Sequence, residues 1–182
     1  MKPLIDDERK MLMNSNRNPF RVRRALVALA LGTLAPVAWA LDAGASAPQL
    51  NLPGLKGAVD LANLKGKVVY LDFWASWCGP CKQSFPFMNE LQSRYGAEGL
   101  EVVAVNLDAR RSDADKFLAE VPAGFTLAFD ATGDSARRFE VKSMPSSVLI
   151  GRDGKVVAAH KGFKAGDRKE LEDRIAQLVA GR

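Results

Sequence analysis

The sequence predicts an α/β domain in which helices cover both faces of a mixed β-sheet. Two short runs, Val68–Phe73 and Leu100–Leu107, are almost continuously apolar and rich in β-branched residues, which is typical of buried strands. Segments with apolar residues at helical spacing follow both runs. From Val68 onward the predicted order is β-α-β-α-β-α-β-β-α, and this alternation favours a three-layer α/β/α sandwich.

Local signals predict the other elements. Residues 49–67 alternate short apolar pieces with glycines, as a small N-terminal β-hairpin extension does. Ser112–Asp115 has the spacing of a capping box, and Asp167 is expected to cap the last helix. The sequence therefore predicts a helix that begins at the motif around residues 78–81, a strand at 125–129, a helix at 134–140, hairpin strands at 147–151 and 155–160, and a helix from 167.

The first forty residues have the layout of a secretory signal peptide. Arg17–Arg24 holds four arginines and no acid, Ala25–Ala38 is an apolar stretch of 14 residues, and Ala38–Ala40 is a small-residue processing site. Fourteen residues rise about 21 Å as a helix, which is shorter than the roughly 30 Å hydrocarbon core of a bilayer. We expect a signal peptide at 1–40, cleaved after Ala40, and a working domain at 41–182; an uncleaved anchor is the alternative.

Most of the chain's positive charge belongs to this segment. The 182 residues hold 26 Lys+Arg and 21 Asp+Glu, a net charge of +5. Seven of the basic and three of the acidic residues lie in 1–40, so the remainder carries a net charge of only +1. Because that remainder has no cluster of Lys and Arg with interleaved aromatics, we expect no binding of nucleic acid.

Both cysteines of the chain, Cys78 and Cys81, lie at the predicted junction of a strand and a helix. A purely structural disulfide is weakly supported, since a disulfide that closes so small a loop contributes only about 2 kcal/mol to stability. A zinc site needs about four ligands, and His160 is the only histidine. Haem attachment needs a histidine directly after the second cysteine, where Lys82 stands. The interpretation that remains is a redox-active disulfide, with no other cofactor and no metal.

The position of each cysteine predicts its role. A thiolate at the start of a helix is stabilised by the free N–H groups and the positive end of the helix dipole, so Cys78 is predicted to be the exposed attacking sulfur. Cys81, predicted to lie one turn into the helix, would be more buried and would resolve the mixed disulfide. Gly79 and Pro80 allow a tight turn that starts the helix, and both are predicted to border the bound substrate.

Two neighbours of the motif are further candidates. Asp72 stands in the middle of an apolar strand, where a charge is costly to bury. We interpret it as a desolvated carboxyl with a raised pKa that exchanges a proton with Cys81; an edge-strand carboxyl bonded to water is the alternative. Trp74 is predicted to pack in the core, and Trp77 to lie at the rim where it can contact a partner.

The eleven residues from Asp72 to Lys82, Asp-Phe-Trp-Ala-Ser-Trp-Cys-Gly-Pro-Cys-Lys, closely resemble the active-site signature of the thioredoxin superfamily. The resemblance extends over most of residues 49–180 and implies a thioredoxin-like fold. Members of that superfamily also have a cis-proline loop facing the cysteines, and residues 143–146 resemble it. The resemblance implies a cis bond before Pro145 and a substrate strand that pairs with the backbone of Met144.

The chain resembles the TlpA/ResA-like branch of that superfamily in three features, namely the predicted signal peptide, the N-terminal hairpin and the strand 103–108. This branch contains bacterial extracytoplasmic thiol–disulfide oxidoreductases, many of which serve cytochrome c maturation. It often has an acidic residue three positions after the second cysteine, where this chain has Ser84. That departure weakens the expectation of a dedicated role in cytochrome maturation.

Together these features predict a periplasmic reductase of client protein disulfides, which receives electrons from a membrane thiol-transfer protein and acts as a monomer. The Gly-Pro dipeptide between the cysteines matches thioredoxin, a reductant. A disulfide oxidase or isomerase with the same motif is one alternative, and a non-catalytic binding or chaperone-like module is another. His160 is expected to be an ordinary strand residue without a partner.

Overall fold

The computed structural model describes residues 41–181; the predicted signal peptide and its cleavage site lie outside these residues. The element order matches the sequence prediction. The strands are β1 (Asn51–Gly54), β2 (Gly57–Asp60), β3 (Val68–Trp74), β4 (Leu100–Asn106), β5 (Thr126–Phe129), β6 (Ser146–Ile150) and β7 (Val156–Lys161). The helices are α1 (Cys81–Tyr95), α2 (Arg111–Glu120), α3 (Asp134–Arg138) and α4 (Asp167–Val179), with short 3-10 helices at Leu61–Leu64 and Gly96–Glu98.

The strands form one mixed sheet in the order β2-β1-β5-β4-β3-β6-β7. β3 pairs in parallel with β4, and β4 with β5. The β1–β2 hairpin joins β5 antiparallel, and β6 and β7 continue the other side antiparallel. The mixed sheet and the N-terminal hairpin extension are therefore confirmed.

Alternation along β3 divides the core into two layers. Val68, Tyr70 and Trp74 face a cluster that also holds the buried residues of α1, α2 and α4. The intervening residues, Val69, Leu71 and Phe73, face a second cluster that contains Phe139 and is flanked by the N-terminal segment. All seven residues of β3 are buried, because helices or loops cover both faces of the sheet and strands flank both edges of β3. The three-layer sandwich is confirmed.

Both capping predictions are wrong. The chain is extended at Arg110, so α2 begins at Arg111, one residue before Ser112, and no side chain caps it. Ser112 and Asp115 therefore lie inside the helix, where Asp115 pairs with Arg111 at 2.8 Å. Gly166, not Asp167, is the N-cap of α4.

Within residues 41–181, none of the helices combines the length and the apolar character that a membrane span requires.

Candidate active site

The end of β3 and the start of α1 place the two cysteines together. β3 ends at Trp74, a short loop follows, and α1 begins at Cys81 with Pro80 as its N-cap. The Cys78 N–H donates to the Ala75 carbonyl at 3.0 Å, and the Cys81 N–H donates to the Cys78 carbonyl at 3.1 Å. These turns bring the sulfurs to 2.03 Å, so Cys78 and Cys81 form a disulfide.

The relative exposure of the two cysteines agrees with the prediction, but their positions differ from it. Cys78 is 4% exposed and Cys81 is fully buried. Cys78 is thus the more accessible cysteine without being an exposed residue, because it packs in the apolar cluster that Met144 also contacts. Cys81 is the first residue of α1 rather than one turn into it, and Cys78 lies in the turn before the helix.

Asp72 is desolvated as predicted. It lies in β3 between β4 and β6, so the alternative of an edge-strand carboxyl is wrong. Its side chain is 1% exposed, and its Oδ2 atom has no hydrogen-bond partner in the described part of the chain. Burial raises the pKa of this carboxyl well above its usual range. A carboxyl in this state keeps its proton to a higher pH than an exposed carboxyl does.

The residues of the predicted binding surface lie at the same end of the sheet. Trp77, beside Cys78, is 72% exposed, and Gly79 and Pro80 are exposed too. The Met144–Pro145 peptide bond is cis, as the resemblance implied. Because Phe73 pairs with Ser146, this loop lies beside the end of β3, which leads into the cysteine motif.

Trp74 has the core position that the sequence predicted. It is fully buried, and its ring contacts Phe85 of α1 and Phe117 of α2, with ring centroids 4.9 and 4.8 Å away. These contacts join the end of β3 to the two helices beside the motif. Trp74 therefore anchors the start of the cysteine loop against α1 and α2.

A buried polar network behind this loop was not predicted. The Asp108 carboxylate accepts the Ser76 N–H at 2.9 Å, the Ser76 hydroxyl at 2.9 Å and the Asn106 side-chain N–H at 2.7 Å. In return the Asp108 N–H donates to the Asn106 side-chain oxygen at 3.1 Å. The only sequence signal is that Asn106 ends β4, a strand parallel to β3, and Asp108 follows it, because the carboxyl ends of parallel strands meet at one edge.

His160 does have a partner, contrary to the expectation. Its Nε2 lies 3.2 Å from Oδ2 of Asp167 at the start of α4. The two residues are seven positions apart along the chain with a turn between them, so no local pattern indicated the contact. The Lys164 backbone N–H donates to the same Asp167 oxygen at 2.8 Å, and this bond lowers the pKa of Asp167.

Comparison with known proteins agrees with this geometry. The sequence profile of the Redoxin family matches residues 42–175. The chain is 32% identical over 140 residues to the thiol-disulfide oxidoreductase ResA of Bacillus thuringiensis subsp. konkukian, and the match covers 76% of this chain and 80% of that protein.

Two solved structures are similar in fold. A Chlorobium tepidum protein assigned as a thiol:disulfide interchange protein DsbE is 56% identical, has a TM-score of 0.76, and is matched over 77% of this chain and 99% of that one. A secreted Mycobacterium tuberculosis disulfide oxidoreductase homologous to E. coli DsbE is 26% identical, with a TM-score of 0.63 over 71% of this chain and 96% of that one. The protein described here belongs to the Redoxin family and is a thiol-disulfide oxidoreductase of the ResA/DsbE type with a thioredoxin-like fold.

Proposed function

We propose that this protein reduces disulfides of client proteins outside the cytoplasm. The observation that carries the proposal is the Cys78–Cys81 pair, held at disulfide distance at the β3–α1 junction of a ResA/DsbE-type chain. The reducing direction rests on the Gly79-Pro80 dipeptide, because thioredoxin, which has the same dipeptide, is a reductant with a potential of about −270 mV. Export rests on the predicted signal peptide and on the secreted M. tuberculosis relative.

In the proposed reaction two electrons pass from the cysteine pair to the client. The Cys78 thiolate attacks one sulfur of the client disulfide, which forms a mixed disulfide and releases the other client sulfur as a thiolate that takes up a proton. Cys81 then attacks the sulfur of Cys78, which forms the Cys78–Cys81 bond and releases the second client thiol. The greater accessibility of Cys78 supports its role as the attacking residue. The pair itself carries the electrons, so the reaction needs no further cofactor.

Asp72 serves this reaction as a base and an acid. Cys81 must lose its proton before it attacks, and a carboxylate beneath the motif is able to accept that proton. The complete burial of both residues supports this role, because water has little access to the thiol of Cys81. We assign Asp72, together with Cys78 and Cys81, to the catalytic group.

Client segments bind across the exposed surface beside Cys78. Trp77 offers apolar area, and the exposed turn at Gly79 and Pro80 lets a client backbone approach the sulfur. The Met144–Pro145 loop borders this surface, and we propose that the Met144 backbone pairs with an extended client strand. Since the extracytoplasmic compartment is oxidising, the oxidised pair needs a dithiol donor, which we propose is a membrane thiol-transfer protein.

The test mixes the pre-reduced protein with a peptide that contains one disulfide and follows the appearance of free peptide thiols. We expect the wild type to reduce the peptide, and Cys78→Ser to be inactive. The reverse mixture, oxidised protein with the reduced peptide, measures oxidase activity. Faster reaction in the reverse mixture would contradict the proposed direction and favour the oxidase or isomerase, and full activity of Cys78→Ser in the cell would favour a non-catalytic binding module.

A further inference from the structure

The two strands beside Asp72 offer its carboxyl very different neighbours. In the sheet register, Asp72 pairs with Ala104 of β4 on one side and with Ser147 of β6 on the other. Side chains of paired residues project from the same face of a sheet and lie close together. The unpartnered Asp72 carboxyl therefore has a methyl group on one side and a hydroxyl on the other, so its polar surroundings lie toward β6.

A row of polar side chains continues from Ser147 to the edge of the sheet. Ser147 pairs with His160 of β7, which is the edge strand on this side of the described sheet. Asp72, Ser147 and His160 thus lie on one face of three adjacent strands, over two strand spacings of about 4.8 Å each. Tyr70, two residues before Asp72, lies on the same face of β3.

A cavity of about 100 Å³ lies beside this row. Its walls include Tyr70, Ser147 and His160 from the sheet, and Glu170, Leu171 and Arg174 from α4. A buried water needs about 10–15 Å³ of such space and two to four polar partners, so the cavity has both the room and the lining for water. Water in it would contact the Ser147 hydroxyl on the inner side and His160 on the outer side.

The His160–Asp167 pair prepares the outer end of the row for proton transfer. The lowered pKa of Asp167 keeps its carboxylate ionised, so the hydrogen between the two residues is on Nε2 of His160. Nδ1 is then the ring nitrogen whose lone pair can accept a proton. The other charged groups on the cavity wall, Glu170 and Arg174, form their own ion pair at 2.9 Å.

We propose that the row from Ser147 through the cavity to His160 is the path by which Asp72 exchanges its proton with solvent. The inference rests on the proposed function, in which Asp72 accepts the proton of Cys81. A protonated Asp72 must first release its proton before it can accept another, and the buried Cys81 and Trp74 close the direct way past the motif. The Ser147 hydroxyl, which lines the cavity, takes up the proton of the carboxyl and gives its own proton to cavity water, from which a proton passes to His160 and bulk solvent. No electrons move along the path, and neither relay residue contacts the client.

The experiment measures, by stopped-flow tryptophan fluorescence, how fast the reduced protein is oxidised by a saturating peptide disulfide. Rates are taken over a pH series, in H₂O and in D₂O. We expect Ser147→Ala to lower the rate roughly tenfold, which is less than the roughly 100-fold or more that a direct general acid or base contributes, and to increase the solvent isotope effect. Ser147→Thr retains the hydroxyl and should keep most of the rate. His160→Ala should lower the rate less, and added imidazole should restore it.

Thr126→Val is the matched control, because it also removes a strand hydroxyl, one that donates to Glu101 at 2.6 Å outside the row. It should leave the rate and the isotope effect unchanged. Wild-type rates and isotope effects in both Ser147→Ala and His160→Ala, combined with a slow Asp72→Asn, would overturn the path and leave the proposed function intact. A wild-type rate in Asp72→Asn would remove the proton role of Asp72, and the path would fail with it.

Discussion

The Asp108 carboxylate accepts a hydrogen bond at 2.9 Å from the backbone N–H of Ser76, two residues before Cys78. The same carboxylate also accepts the Ser76 hydroxyl and the side chain of Asn106, so one buried group ties the cysteine loop to the end of β4. This relationship gives the loop a fixed position relative to the sheet, and it identifies Asp108 as a positioning residue for Cys78.

Replacing Asp108 by alanine should loosen the cysteine loop. The substitution leaves the Ser76 and Asn106 donors without an acceptor, and we expect the free energy of unfolding to fall by about 2–3 kcal/mol. Cys78 should also react more slowly with a client disulfide at a pH where the variant is still folded. Urea unfolding and thiol kinetics check the two effects.

Asp173→Ala is the control, because it removes only an exposed partner of Lys169. It should lower the free energy of unfolding by less than about 1 kcal/mol. Equal losses of free energy in both variants would contradict the role of Asp108.

Asp72 should make stability fall as the pH rises. Burial raises its pKa in the folded state, so above the ordinary Asp value of about 4 the folded protein holds a proton that the unfolded chain has lost. The contribution of this group is fully present below about pH 4 and falls by about 1.4 kcal/mol per pH unit until the raised pKa is reached. Asp72→Asn removes this dependence.

Urea unfolding of the oxidised wild type and Asp72→Asn, at several pH values, checks this dependence. The difference between the two proteins should grow in favour of the variant as the pH rises. Other titrating groups cancel in that difference, and Asp173→Asn serves as an exposed control. A difference that stays constant with pH would mean that the folded state does not raise the pKa of Asp72.

The two tryptophans of the motif should separate stability from binding. Trp74 is fully buried against Phe85 and Phe117, so Trp74→Ala should destabilise the protein by about 3–5 kcal/mol. Trp77 is largely exposed, so Trp77→Ala should leave stability within about 0.5 kcal/mol and raise KM for a peptide disulfide. Thermal unfolding and steady-state kinetics provide both measurements. An unchanged KM in Trp77→Ala would remove Trp77 from the client surface.

Cys81→Ala should trap clients. The variant retains Cys78, which forms the mixed disulfide, but it has no second thiol to resolve that bond. Non-reducing electrophoresis of cells that express the variant should reveal adducts that disappear with reductant. Cys78→Ala is the matched control and should form no adducts. If only Cys78→Ala formed adducts, Cys81 would be the attacking cysteine and Cys78 the resolving one.

The sequence predicted the fold well where side-chain pattern and burial agree. The apolar runs at 68–73 and 100–107 became β3 and β4, because a strand covered on both faces needs apolar side chains on both. The helix starts were predicted less well. Arg110 and Gly166 occupy the N-cap positions without side-chain hydrogen bonds, so the capping residues nearby gave a misleading signal.

The centre of the site was predictable because its chemistry lies within one continuous motif. Cys78, Cys81 and Asp72 fall within ten residues of each other, and their spacing carries the information. Asp108 and His160 were missed because their partners come from other elements. The contact of Asp108 with Ser76 spans 32 residues, and that of His160 depends on how the turn between β7 and α4 folds back.

The redox potential of the Cys78–Cys81 pair tests the proposed reductase most directly. It is measured by equilibrating the protein with glutathione or dithiothreitol buffers and determining the fraction of oxidised protein, with Cys81→Ala as the control that forms no internal disulfide. We expect a potential of about −270 mV, as for thioredoxin, at which the pair donates electrons to strained or exposed client disulfides. A potential of about −120 mV, which is typical of a strong disulfide oxidant, would contradict the proposed reductase.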